Sequence, residues 1–398
     1  MSMNANSKFN FSGLPSKAFF VSLLIGVMLF SCFLFSMFST DVSPFVLGAS
    51  NQVVSNELEL RNAINNAVGS TVIALDKDIT LTEQLSIPVD KNITLTSTST
   101  SKFFKLIGGD VDVYFAPDYW PHSGAVISVE DGAVLKLDGI FVSNHVNYYW
   151  IAAVRVGVSG TFILYTGEIS GAGVSNYGNF TMFGGTISNC NGNGVSNSEY
   201  GTFSMVGGEV SNNTGYGVYN HGTYNWGWTY GTFSMSGGVI RNNDGGGVQN
   251  TGIFSMVGGE ISNNVGGNIM HSGGGVSNSG VFSMSGGAIS NNQATYGGGV
   301  YNWPDGNFSL SGNGVISNNI AEVGGGVYNA GTFNRRDGVI SGNTATQYDN
   351  IYPDDDSTTK DNSITGYVLL VVSIVVIASI IVVSLFFYFR RCKNNLHK

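Results

Sequence analysis

The chain has 398 residues, of which 56 are glycine and only 11% are charged, and its formal net charge is −9. The glycines follow no Gly-X-Y period, which excludes a collagen-like triple helix, and 42% hydrophobic content argues against a disordered Gly/Ser linker. All 26 acidic residues lie between Asp41 and Asp361, among eleven Lys and Arg that leave this segment at −15. Such an acidic body argues against nucleic acid, which selects basic surfaces.

Residues 1–50 hold the first apolar run, Ala18 to Phe38, preceded by Lys8 and Lys17. It is either a secretory signal, with Gly48-Ala49-Ser50 as a small-residue cleavage site, or an uncleaved signal anchor. Residues 51–159 read as an N-terminal cap and the first coils of a solenoid. Asn56 to Val68 places Leu58, Leu60, Ala63, Ile64 and Ala67 largely on one helical face, and predicts an amphipathic helix that covers an exposed sheet edge. Short strands are predicted at Thr71 to Leu75, Ile79 to Leu81, Leu85 to Ile87, Ile93 to Leu95, Ala125 to Val129, Val134 to Leu137 and Ala153 to Val156. Two aromatic inserts interrupt them, one through Tyr114, Phe115, Tyr119 and Trp120, the other through Tyr148, Tyr149 and Trp150.

Residues 160–352 are a tandem repeat whose units begin at Gly160, Gly178, Gly201, Gly231, Gly252, Gly280, Gly306 and Gly331. The clearest unit is Gly231 to Asn250, GTFSMSGGVIRNNDGGGVQN. Phe recurs in every unit and Met or Leu follows two residues later in nearly all, a spacing that puts both on one strand face. A glycine pair then leads to an Ile or Val, and a second glycine run precedes a Val. Glycine pairs forbid a helical repeat, so each unit contributes three short strands stacked at about 4.8 Å per coil. The eight units and four earlier coils predict a rod of about 55 Å. Asparagine recurs as strictly, as Asn212-Asn213, Asn242-Asn243, Asn263-Asn264, Asn291-Asn292 and Asn318-Asn319, and again at Asn220, Asn250, Asn278, Asn302 and Asn329. These are predicted corner residues, because Asn tolerates the left-handed turn conformation and its amides bond from coil to coil.

The units G-x-F-S-M-x-G-G-x-I-S-N-N with G-G-G-V-x-N resemble right-handed parallel β-helix proteins of the pectin-lyase-like superfamily, and among them the adhesin-like surface proteins of archaea and bacteria. Gly286-Gly287-Ala288-Ile289 is similar to the G-G-A-I motif of chlamydial polymorphic membrane proteins, although their companion F-x-x-N motif is missing. The resemblance covers Asn56 to Tyr352. It implies an all-β fold with three strands per coil and a role in adhesion or catalysis on polysaccharides, since one fold hosts lyases, hydrolases and adhesins.

Beyond the repeats, residues 353–365 form an acidic spacer. Residues 366–389 lack charge, are rich in Val, Ile and Leu, and stop at Arg390-Arg391, which predicts a transmembrane helix with the 390–398 tail cytoplasmic. The fold expectation is therefore a parallel β-helix between two hydrophobic membrane segments, with about 51–365 extracellular. Cys32, Cys190 and Cys392 share no pairing context, so disulfides are not expected to hold it.

Catalytic chemistry has sparse support. Glu168, Glu209 and Glu260 each follow a glycine and precede an inward Ile or Val, so they point outward. Val239 separates Glu209 from Glu260, which puts those carboxylates two coils apart, about 9.6 Å, with no basic residue in register. His271 has no ligand-spaced companion, so no metal is expected. Recognition has a better candidate in His221 to Tyr230, HGTYNWGWTY, inserted between two regular units. Tyr224, Trp226, Trp228 and Tyr230 alternate along it, and so either project as a binding face or fold back on the stack as a hairpin. The expected role is a membrane-anchored surface adhesin or structural protein that contacts glycans or surface proteins and needs no cofactor. The alternative is a polysaccharide-active enzyme with its site at Asp110, Asp112, Asp118 and His122.

Overall fold

The structure, a computed structural model, describes residues 52–99, 101–109, 125–144, 152–222, 230–266 and 273–353. Both apolar runs, the acidic spacer beyond Pro353, the basic tail, the two N-terminal aromatic inserts, Asp110, Asp112, Asp118, His122 and His271 lie outside those residues. Among the described residues no helix is long and apolar enough to cross a membrane.

Helix α1 (Glu57–Asn65) follows a first short strand, Gln52–Val54, and is shorter than the expected 56–68, starting where its cap sets it. Asn56 is the N-cap, its Oδ1 accepting from the Glu59 amide at 2.9 Å, while Glu59 reaches back to the Ser55 amide at 2.7 Å. Leu60, Ala63 and Ile64 are buried at the start of the stack, which gives the helix the covering role that its apolar face predicts, whereas Leu58, expected on that face, falls on the opposite side of the turn and is exposed.

All pairings between the named strands are parallel, and three faces emerge, called here the Phe, Ile and Val sheets after the residue each turns inward. The Phe and Ile sheets share one 21-stranded assembly, because Val134–Asn144 and Thr161–Gly171 run from one face into the other. The Val sheet has 11 strands, one from each coil. Among the described residues four Phe-sheet strands, Gln52–Val54, Ser70–Leu75, Asn92–Ser97 and Val134–Asn144, precede the first repeat, in line with the four early coils expected, while the Val sheet has three there, Leu85–Ile87, Ala125–Val129 and Ala152–Val156. The fold is thus an all-β parallel stack of three-stranded coils.

Like residue lies over like. Phe203 pairs with Phe233, Met205 with Met235, Val210 with Ile240 and Val218 with Val248. Phenylalanines 162, 180, 203, 233, 254, 282, 308 and 333 form one continuous stack with ring centroids 4.6 to 4.9 Å apart and interplanar angles of 5° to 18°. Burying each such side chain is worth about 1.5–3 kcal/mol. The Met column sets the glycine requirement of the following turn. A Cβ on Gly238 would lie 2.6 Å from the Met205 methyl, and its φ of 80° is one that side-chain-bearing residues avoid. In the last unit Arg335 stands in register with Leu310 and is exposed, so the apolar column ends there.

Two buried asparagine ladders run the length of the repeats. In the first, each Nδ2 donates to the Oδ1 one coil on, from Asn176 through Asn197, Asn220, Asn250, Asn278 and Asn302 to Asn329, at 2.7 to 2.8 Å. In the second, Asn213, Asn243, Asn264, Asn292, Asn319 and Asn343 connect likewise at 2.8 to 3.0 Å. Here each Oδ1 also accepts the backbone N–H of the preceding ladder residue, as Asn264 does from Asn243 at 3.0 Å. The Asn-Asn doublets therefore divide two tasks. Asn212, Asn242, Asn263, Asn291 and Asn318 take φ of 55° to 57° to turn the corner, and the second asparagine of each doublet enters the ladder. Cys190 occupies the ladder position one coil before Asn213, and its amide donates to the Asn213 Oδ1 at 3.0 Å.

This division is testable within one doublet. Asn264→Ala removes partners from the Asn243 amide, the Asn292 Oδ1 and the Ile240 carbonyl, and is expected to cost about 3 kcal/mol or more in denaturant unfolding. Asn263→Gly keeps the left-handed corner and is expected to stay within about 1 kcal/mol of the parent.

Candidate functional site

With the inward and corner positions committed to packing, the side chains free for chemistry are those turned outward and those where the repeat is broken. The outward wall of the Ile sheet carries Glu209, Val239 and Glu260 in register, as the sequence predicts. No basic residue stands in register with them, as expected, but one reaches them from the neighbouring position. Arg241 stands in register with Ser211, two residues along from Val239, and reaches back to Glu209 with Nε–Oε1 and Nη2–Oε2 distances of 3.0 Å each. Partial burial pushes the Glu209 carboxyl up, but the Arg241 and Ser211 hydrogen bonds outweigh it and hold the group below the usual carboxylate range. A general acid for glycoside cleavage needs the opposite shift, so this forked pair works as a surface clasp between coils.

The inserted aromatic segment begins and ends within the described residues, and Tyr224, Trp226 and Trp228 lie outside them. Gly222 and Tyr230 form an antiparallel bridge, which closes the base of the insertion as a hairpin does. Tyr230 is exposed. His221, at the other edge of that base, packs against Tyr219 with ring centroids 4.0 Å apart. Burial lowers its imidazole to about 4, so the ring is neutral at neutral pH.

A second aromatic group escaped the sequence reading. On the outer face of the Val sheet one column reads, in register, Arg155, Ser175, Ser196, Tyr219, Gln249, Ser277, Tyr301, Tyr328 and Tyr352. The last three stack along the coil axis, with centroids 4.8 and 4.6 Å apart and interplanar angles of 9° and 29°. Trp303 closes one end of the stack, 4.6 Å from Tyr301 and tilted 64°, with its indole N–H donating to Ser277 Oγ at 3.0 Å. Tyr296 and Tyr348 flank the stack edge-on, at 74° to Tyr328 and 65° to Tyr352. Partial burial first, then neighbouring phenols, raise Tyr301 and Tyr328, and a hydrogen bond with Tyr352 adds to the latter. The hydroxyls therefore stay protonated and free to exchange hydrogen bonds. Tyr348 has a φ of 60° at the place where the two preceding coils put Gly297 and Gly324, at 62° and 66°. An L side chain held there costs about 1–2 kcal/mol.

Cys190 is buried among apolar neighbours, and burial first, then Glu168, pushes its thiol up to about 12. It is a packing residue and not a nucleophile, since reactivity requires the thiolate. Comparison with protein-family models gives no match, and neither curated proteins nor solved structures show one.

The buried imidazole gives a pH signature. Its folded value of about 4 lies below the ordinary 6.5, so the neutral ring contributes fully above about pH 6.5, and that contribution is lost as pH falls through 4. Denaturant unfolding is expected to show a loss on the order of 3 kcal/mol across this window, and His221→Phe is expected to flatten the slope.

Proposed function

We propose that the chain is a cell-surface adhesin or structural surface protein, a parallel β-helix held at a membrane by its terminal apolar segments and contacting glycans through aromatic side chains outside the repeat columns. The observation that carries this reading is the group of six rings at Tyr296, Tyr301, Trp303, Tyr328, Tyr348 and Tyr352 on the outer face of the Val sheet. Rings with polar handles on a rigid scaffold suit sugar recognition, where an apolar face and hydroxyl partners are needed together. The repeat units' resemblance to right-handed β-helix adhesins of the pectin-lyase-like superfamily supports the same reading. So do the charge-free 366–389 segment ended by Arg390-Arg391 and the basic residues that flank the first apolar run.

The polysaccharide-active enzyme is the rival, and the Glu209 clasp weighs against its repeat-borne form because that carboxylate is held ionised. The full chain, displayed on cells or purified in detergent, is expected to bind a subset of glycans on an array and to release no reducing ends from them. Turnover of any bound polysaccharide contradicts the proposal.

A further inference from the structure

The six rings fall into two orientations that do different work. Tyr301, Tyr328 and Tyr352 turn their faces along the coil axis and spend them on one another, with Trp303 against the end of the row, so they offer the outside their edges and hydroxyls. Tyr296 stands at 74° to Tyr328, so its plane runs nearly along the axis, Tyr348 stands steeply at 65° to Tyr352, and the two are 39% and 45% exposed. Counted along the Val sheet, Tyr296 springs from the ninth coil and Tyr348 from the eleventh, so their backbones are about 10 Å apart along the axis, with the Tyr296 ring against Tyr328 of the tenth.

We propose that this strip binds an extended, uncharged, β-linked polysaccharide lying parallel to the coil axis, with alternate sugar rings on Tyr296 and Tyr348 and sugar hydroxyls bonded to the Tyr301, Tyr328 and Tyr352 phenols. This rests on the glycan-contacting reading above and deepens it. In an extended β-linked chain the sugar ring planes contain the chain direction, so the aromatic faces that receive them must contain it too. Tyr296 meets that condition and Tyr348 comes much nearer to it than the stacked row does. Two coils also match the rise of two sugar residues in such a chain, so one register satisfies both faces. The charge around the strip selects against acidic glycans. Glu322, Asp305 and Asp349 lie in the same coils, whereas the basic residues there, Arg335 and Arg336, belong to the Phe-sheet side. The left-handed backbone at Tyr348 points the same way, because glycine would fit that corner more easily and would present no ring.

The test measures binding of cello- and chito-oligosaccharides of two to eight residues to the full chain in detergent micelles. Affinity is expected to rise about tenfold between two and four residues, when the ligand becomes long enough to reach both rings. Tyr296→Ala and Tyr348→Gly are each expected to erase that step, and Tyr348→Gly to keep the thermal midpoint of the parent, since glycine suits its φ. Parent-like binding by both variants overturns the strip and leaves the glycan-contacting reading standing. A lower midpoint with unchanged binding in Tyr348→Gly assigns that ring to structure, which also overturns the strip. Preference for polygalacturonate over the neutral oligomers overturns the assignment of an uncharged ligand. Absence of binding to any oligosaccharide or arrayed glycan overturns the strip and the glycan-contacting reading together.

Discussion

From the unit at Gly201 to the unit at Gly306 each coil hides the side-chain amides of two asparagines, and a buried amide is tolerable only with partners. Stacking at one coil repeat supplies them: each Oδ1 receives the Nδ2 of the coil before, and each Nδ2 also finds a carbonyl, as Asn220 does at Gly231. The arrangement works only when like lies over like, so it fixes register more strictly than apolar columns do. Phe or Ile tolerates a shift along the strand with some loss of packing, whereas an amide ladder out of register loses every bond at once. The glycines follow from the same closeness. A Cβ at Gly247 would lie 2.5 Å from Ile261 Cγ2 and from the Gly275 carbonyl, so the backbone approaches its neighbour where no other residue fits.

A lattice of this kind leaves little room for variation inside, and the molecule's individuality lies outside it. The Glu209–Arg241 clasp, the His221 base of the insertion and the aromatic strip are all departures from the repeat, carried on outward positions or at corners. They sit on backbone that the ladders hold still, so aromatic faces can be presented in fixed orientation at little further cost in conformational entropy. Tyr348 illustrates the division: its corner accepts a strained backbone because the coils beneath it fix the chain on either side.

How much of this the sequence disclosed depends on whether the information lay in one unit or between units. The strand faces were legible because Phe and Met alternate within a single strand, and the cap helix because its apolar residues share one face. The two tasks within each Asn doublet were not, since the same residue type serves a positive-φ corner and a buried ladder, and periodicity reports which residues recur without saying what their atoms meet. Arg241 was missed because it sits in register with Ser211 and finds Glu209 on a diagonal. The strip was hidden by distance along the chain. Val300-Tyr301-Asn302 and Val327-Tyr328-Asn329 look like chance variants of a position that elsewhere holds Ser, Gln, Arg155 or Tyr219, and only stacking brings their rings together. Comparison of that one position across all units was the available signal. The part of the proposed site on Tyr224, Trp226 and Trp228 lies outside the described residues, and Tyr230 alone is placed.

The central claim, that paired amides inside the stack hold the coils in register, is tested most directly by native-state hydrogen exchange of the asparagine side chains. The account predicts that the Nδ2 protons of Asn213, Asn243, Asn264, Asn292 and Asn319 exchange as slowly as the strand amides beside them, while those of Asn212, Asn242, Asn263, Asn291 and Asn318 exchange at close to solvent rates. Equally fast exchange in both sets would contradict it.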